Sequence, residues 1–449
     1  MLFCAHPPRS ACVCAAVCYN IPATAFVRPR RRCGAGAYRR NTGKGEIGLT
    51  QQHEGRLWTP DFCRLLAANF LLMSSGNLLT GMFSLFLVAR GGADLHIGIA
   101  AYLFSGASLV VRPVSGWYLD HRSRSTLVIF GVAALILIPW GYVLAWQVPL
   151  IIAVRFLHGV VYSMAGTGVI TSAYDALDRA SFSRGVGYFG FSNAISTAVA
   201  PAVGLWLWDR FEALGVFGVV SLSMVAALLL LRRIHFHPVP PERQTRFRDE
   251  RLGDLLFERD ALPATVLEGF VALLSGAISP YLTLYLMQRG DIGNAGLFFT
   301  FQACGTFLSR IFVGRISDRW GETPLVFGSA GLFAASILLL VFGGSPALVF
   351  LAAVLLGIGY GLTVTGFQIM SVRIVPPERT GSAASTYSCG WDVFSGLGGL
   401  LGGVLASFMS YRALFASMLL VLPLFVLSYV CVFARHPSAL RNVRRAQGR

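Results

Sequence analysis

The feature that most constrains this chain is a recurrence of long apolar runs broken by short polar stretches. From Leu57 onward the runs fall at about 62–89, 97–119, 125–146, 149–172, 186–208 and 211–234. After a polar stretch they resume at about 263–288, 294–316, 322–343, 347–372, 381–408 and 411–434. A helix of about 20 apolar residues spans the hydrocarbon layer of a bilayer, so the pattern predicts twelve crossings in two sets of six. Composition agrees. The 449 residues are 55% hydrophobic and 13% charged, with a mean hydropathy of +0.63, whereas a soluble domain carries about 25% charged residues. That excludes most soluble enzymes, a disordered protein and a small disulfide scaffold.

The formal net charge is +16, and Lys44 is the one lysine. The arginines sit between the apolar runs rather than in one patch, which argues for a bilayer partner and against nucleic acid. Only Arg90, Arg210, Arg289 and Arg412 occupy alternate breaks. The remaining breaks, the central polar stretch and the tail hold twenty. Basic loops resist translocation, so both termini are expected in the cytoplasm. Five segments follow. Residues 1–56, Arg- and Cys-rich with no acid before Glu46, read as a disordered extension or a start placed too far upstream, with a transit peptide as the other reading. Residues 57–234 and 263–434 form two six-helix bundles, 235–262 a cytoplasmic linker, and 435–449 a cytoplasmic tail.

The two halves share an internal repeat. Arg112-Pro-Val-Ser-Gly116-Trp-Tyr-Leu-Asp120 after the second run matches Arg310-Ile-Phe-Val-Gly314-Arg-Ile-Ser-Asp318 after the eighth, three positions at one common offset. Parallel repeats of this kind bracket a site near the bilayer midplane. With Arg124 in the first half and Arg319 and Gly321 in the second, these loops resemble the signature of the major facilitator superfamily. His121 and Ser123 depart from it in the first half, as do Glu322 and Thr323 in the second. The resemblance implies a gating loop at Gly116, Asp120, Arg124, Gly314, Asp318, Arg319 and Gly321. Arg155-Phe-Leu-His158-Gly159 is similar to a second motif of the family, with His in place of Gln. There the arginine tunes a nearby carboxylate in proton-coupled members. Gly187, Pro201 and Gly204 weakly resemble an antiporter motif. The opening Leu57-Trp-Thr-Pro-Asp-Phe segment resembles bacterial arabinose- and drug-exporter relatives.

Ionisable residues within spans are functional candidates because lipid makes them costly. Asp392, about ten residues into the eleventh run beside Trp391, is the first candidate for proton coupling. Arg155, Glu268 and His158 join it. Glu268 lies early enough in the seventh run to reach the cytoplasmic interface. The alternatives are structural ion pairs and, for His158, a hydrogen-bonded packing role. Asn69, Asn77, Gln302, Gln368 and Trp391 are candidate cavity-lining residues, or bonds between helices. Gly396, Gly398, Gly399, Gly402 and Gly403 give the eleventh run a small face for close helix contact. Trp146, Trp206, Trp208 and Tyr411 read as interface anchors.

The expected protein is an all-α membrane protein, a monomer. It moves a small solute by alternating access, by proton-coupled efflux across a bacterial inner membrane, with no cofactor, no metal and no enzymatic activity. An importer of the same fold and a non-transporting receptor are the alternatives.

Overall fold

The computed structural model describes residues 57–177, 182–236, 258–290, 292, 294–373, 380–431 and 433. The extension 1–56, linker residues 237–257 and the tail lie outside the described residues, as do the side chains of Asp120, Asp318 and Arg319. Helices account for nearly all of what is described: α1 (Pro60–Ala89), α2 (Asp94–His121), α3 (Arg124–Leu144) and α4 (Val148–Asp175) come first. After a continuous helical stretch, Phe182–Leu231, follow α7 (Leu262–Arg289), α8 (Gly296–Trp320), α9 (Thr323–Phe342), α10 (Pro346–Arg373) and α11 (Thr380–Phe408). The last helix, α12 (Tyr411–Cys431), carries a 3-10 turn at Met418–Leu420.

The 50-residue stretch Phe182–Leu231 is two crossings, not one. A straight helix of that length would measure about 75 Å, more than twice the hydrocarbon thickness. Glu212 interrupts it with φ 52° and ψ −153°, a left-handed conformation that side chains resist. The chain reverses there. Phe189, before the break, packs against Phe62 of α1 with ring centroids 5.9 Å apart. Arg233, just beyond Leu231, accepts through its carbonyl a bond from Arg64, two residues from Phe62. Residues 182–211 are therefore α5 and 213–231 are α6, and the twelve predicted crossings are present with ends within a few residues of those expected.

Side-chain bonds show the crossings alternating in direction. Arg124, at the start of α3, pairs with Asp175, at the end of α4. Arg289, at the end of α7, donates to Gly343 O after α9 at 2.9 Å. Thr323, opening α9, bonds Tyr429 near the end of α12 at 2.7 Å. The start of α1 and the end of α12 thus lie at one end of the molecule, the near end. Within the first bundle α1 packs on α5, and α4 on α2 and α3. Within the second, α7 packs on α11, and α10 on α8 and α9. The bundles meet along two seams, α2–α11 and α5–α8.

Both seams are tight at the far end. A Cβ on Gly98 of α2 would lie 2.6 Å from the carbonyl oxygen of Gly399 of α11, so only glycine permits this approach. Tyr281 donates to Asp94 O at 3.1 Å, and Tyr411 to Asp94 Oδ1 at 2.7 Å. Tyr411 is therefore a clasp between α12 and α2, not merely an interface anchor. Ser84 of α1 bonds Pro280 O of α7, and Thr300 of α8 bonds Ala198 O of α5 at 2.6 Å.

Candidate functional site

The α2–α11 seam carries a charge pair. Arg112 Nε lies 2.6 Å from Asp392 Oδ2, with Nη2 3.5 Å from Oδ1. Asp392 is 7% exposed, and an unpaired carboxylate at that depth would cost several kcal/mol. The mid-depth acid expected from the sequence is thus in an ion pair between the bundles. In the sequence Arg112 stood out only as the first residue of the repeat. Trp391, next to Asp392, is half-buried. The repeat's other arginine, Arg310, also crosses a seam, from α8 to Gly190 O of α5 at 3.1 Å. It meets a carbonyl rather than a carboxylate.

Arg155 of α4 lies between the rings of Phe83 and Phe104, its guanidinium carbon 4.2 and 4.5 Å from the two centroids. Aromatic faces attract a cation electrostatically. Its Nε has no hydrogen-bond partner, and among the described residues no carboxylate pairs with it. The neighbouring acid implied by the family motif is absent there. The guanidinium borders a cavity of about 70 Å³ lined by Thr80, Phe83, Ser84, Ile97, Ala101, Ser279 and Pro280. Ser84 and Pro280, which are bonded to each other, both line it, so its walls come from both bundles.

His158 follows Arg155 by one turn and is buried. Its Nδ1 lies 3.1 Å from the Tyr142 hydroxyl, and its ring is edge-on to Phe104 and Tyr162. These contacts suit a packing residue that shapes the wall behind Arg155.

Glu268 of α7 does not reach the interface as its early position suggested. It is 1% exposed, and Oε2 has no hydrogen-bond partner. The side chain faces the Tyr387 hydroxyl of α11. α7 packs here against α10 and α11, where Tyr387 also bonds Val364 O at 2.7 Å.

The amides in α1 bind the adjacent helix. Asn69 donates to Asn193 Oδ1 at 2.8 Å, and Asn77 to Ser196 Oγ at 2.9 Å, both on α5. Gln302 is half-buried and Gln368 exposed. Of the residues expected in the repeat loops, Gly116 and Gly314 instead lie within the last two turns of α2 and α8, with open space beside their α-carbons. Arg124 ties α3 to Asp175 of α4. Gly321 adopts φ 76°, the left-handed position that ends a helix most cheaply with glycine. Ser123, in the other half, instead caps α3, its hydroxyl accepting from Thr126 N. Among the described residues no group of three His, Cys, Asp or Glu could hold a metal ion.

Two bundles of six, related by a sequence repeat and joined along α2–α11 and α5–α8, match one family in sequence as well. The model of the Major Facilitator Superfamily matches residues 65–288 and 264–448. The chain belongs to the Major Facilitator Superfamily. A multi-drug resistance efflux pump PmrA homolog of Lactococcus lactis is 24% identical over 359 residues, covering 77% of this chain and 87% of that protein. An uncharacterized MFS-type transporter of Burkholderia pseudomallei is 25% identical over 333 residues, covering 72% and 80%. Among solved structures, the nucleoside transporter NupG has a TM-score of 0.67 at 15% identity, over 83% of this chain and 98% of that one. A bacterial homolog of the human lysosomal transporter Spinster, inward-facing and occupied, has a TM-score of 0.66 at 14% identity, over 85% and 97%. Likeness at these identities shows the fold. This member of the superfamily departs from its second motif at His158 and leaves Arg155 without an internal acid among the described residues.

Proposed function

We propose that this chain is a secondary transporter that exports a small solute in exchange for protons. It works as a monomer in a bacterial inner membrane with both termini in the cytoplasm. The observation that carries the reading is the Arg112–Asp392 pair, a titratable link placed in the seam that must open and close. Protonating Asp392 removes one charge of the pair, so the attraction between α2 and α11 falls and the bundles are free to rock. Glu268, enclosed without a cationic partner among the described residues, is the second proton carrier. Arg155 and His158 belong to the solute side. Asn69, Asn77, Gln302, Gln368 and Trp391 line or brace the path. The loops at Gly116, Asp120 and Arg124, and at Gly314, Asp318, Arg319 and Gly321, gate the near end. Efflux is favoured by the relative in Lactococcus lactis, whose name is that of an efflux pump.

The test is proton-driven transport in proteoliposomes holding the full chain and a pH-sensitive dye. Addition of a transported solute should release lumenal protons in the parent protein. Asp392→Asn should abolish that release while the protein stays folded. A normal signal from Asp392→Asn would overturn the coupling scheme.

A further inference from the structure

The cavity beside Arg155 has a chemistry of its own. The Phe83 and Phe104 rings lie against the guanidinium carbon, their centroids 4.2 and 4.5 Å away, and the Nε–H has no hydrogen-bond partner. In-plane donors in a fixed fork suit an oxygen pair such as a carboxylate or phosphate. Thr80, Ser84 and Ser279 line the same space; the Thr80 and Ser84 hydroxyls donate to Gly76 O and Pro280 O in this conformation, and by turning about χ1 they can donate to an oxyanion instead. Arg112, the arginine of the α2–α11 seam, already has Asp392. Arg155 has none among the described residues, and its Nε is unbonded. An unpaired cation inside a span is costly, so a site that keeps one is built for a counter-ion that comes and goes.

We propose that Arg155 with the Thr80, Ser84 and Ser279 hydroxyls is an oxyanion subsite, and that the transported solute is an anion. This deepens the transporter reading and rests on it for the word transported; the binding site itself does not. The cavity of about 70 Å³ holds one such group, and the rest of the solute extends toward the near end. Ser84 and Pro280, which close the far end, border the same space. An oxyanion that draws the Ser84 hydroxyl toward itself competes with the Pro280 carbonyl for its proton. Solute occupancy thereby acts on the far-end seal.

The experiment is equilibrium binding to the full purified chain in a neutral detergent, with benzoate against its uncharged counterpart benzamide. Benzoate should bind and benzamide should bind at least about tenfold more weakly, the discrimination expected of one charge-assisted fork. Arg155→Gln should remove the preference and leave benzamide binding unchanged. Should that variant misfold, Ser279→Ala carries the test, with a weaker preference for benzoate and an unaltered elution profile. A lipid headgroup is the second source of an oxyanion, so dihexanoylphosphatidylglycerol is titrated in parallel. Arg155-dependent binding of that lipid in place of benzoate supports the subsite and assigns it to a headgroup. Equal binding of benzoate and benzamide, or no binding of either anion, overturns the proposal. Benzoate binding without proton-driven transport would overturn the transporter reading instead.

Discussion

Breaking the Arg112–Asp392 pair from its two sides should cost different amounts. The Asp392 side chain is 9% exposed and that of Arg112 38% exposed. Arg112→Gln leaves a nearly dry carboxylate opposite a neutral amide. Losing one partner of a fully buried pair costs about 3–5 kcal/mol, and water reaching the Arg112 side reduces this to about 2 kcal/mol. Asp392→Asn leaves a cation that water can already reach, at about 1 kcal/mol. The double variant sets amide against amide and should resemble Asp392→Asn alone. The implied coupling is then about 2 kcal/mol, well above the error of additivity for distant sites. Thermal unfolding of the three purified variants in one detergent, followed by intrinsic fluorescence, gives the order. Arg112→Gln should melt lowest, and adding Asp392→Asn to it should restore stability. Equal losses that simply add in the double variant would refute the view that the two side chains act on each other.

Gly98→Ala should hold the far end apart, because its Cβ would lie 2.6 Å from Gly399 O. Spin labels at Leu95 and Phe408 should report a longer distance, and an unchanged distance counts against the seal. Tyr281→Phe and Tyr411→Phe each remove one bond to Asp94, about 1 kcal/mol apiece; amide exchange at the start of α2 should quicken, and parent-like exchange would show those bonds to be idle. Glu268→Gln removes a buried charge that has no cation opposite it among the described residues, so it should unfold no more easily than the parent while losing proton-driven transport. Retained coupling removes Glu268 from the scheme. Deleting 1–56 should leave membrane insertion and transport unchanged, and loss of either would show the extension to be needed.

The twelve crossings were legible because apolar length is a local property, set by what a bilayer demands of each segment. The reversal inside Phe182–Leu231 was legible too, since the run pauses at Trp208-Asp-Arg-Phe-Glu212. Partnerships were harder. Asp392 could be placed at mid-depth, yet whether it met Arg112, solute or water depends on how α2 and α11 cross, which no single helix encodes. Glu268 was misplaced for the same reason: depth along α7 was counted correctly, but enclosure comes from Tyr387 and α10. The glycines of α11 announced a close contact without naming Gly98 as the residue that fills it. The aromatic sandwich around Arg155 joins residues far apart in the chain, Phe83 and Phe104, and has no signature at short range.

The repeat has a mechanical consequence through its two arginines. Duplicated halves would be expected to part symmetrically, like a pair of identical doors. Here one jamb is held by opposite charges, Arg112 and Asp392, and the other by bonds to the Gly190 and Ala198 carbonyls with no charge pair among the described residues. In the proposed exchange cycle the α2–α11 side is the firmer post, and a proton at Asp392 would loosen that post first.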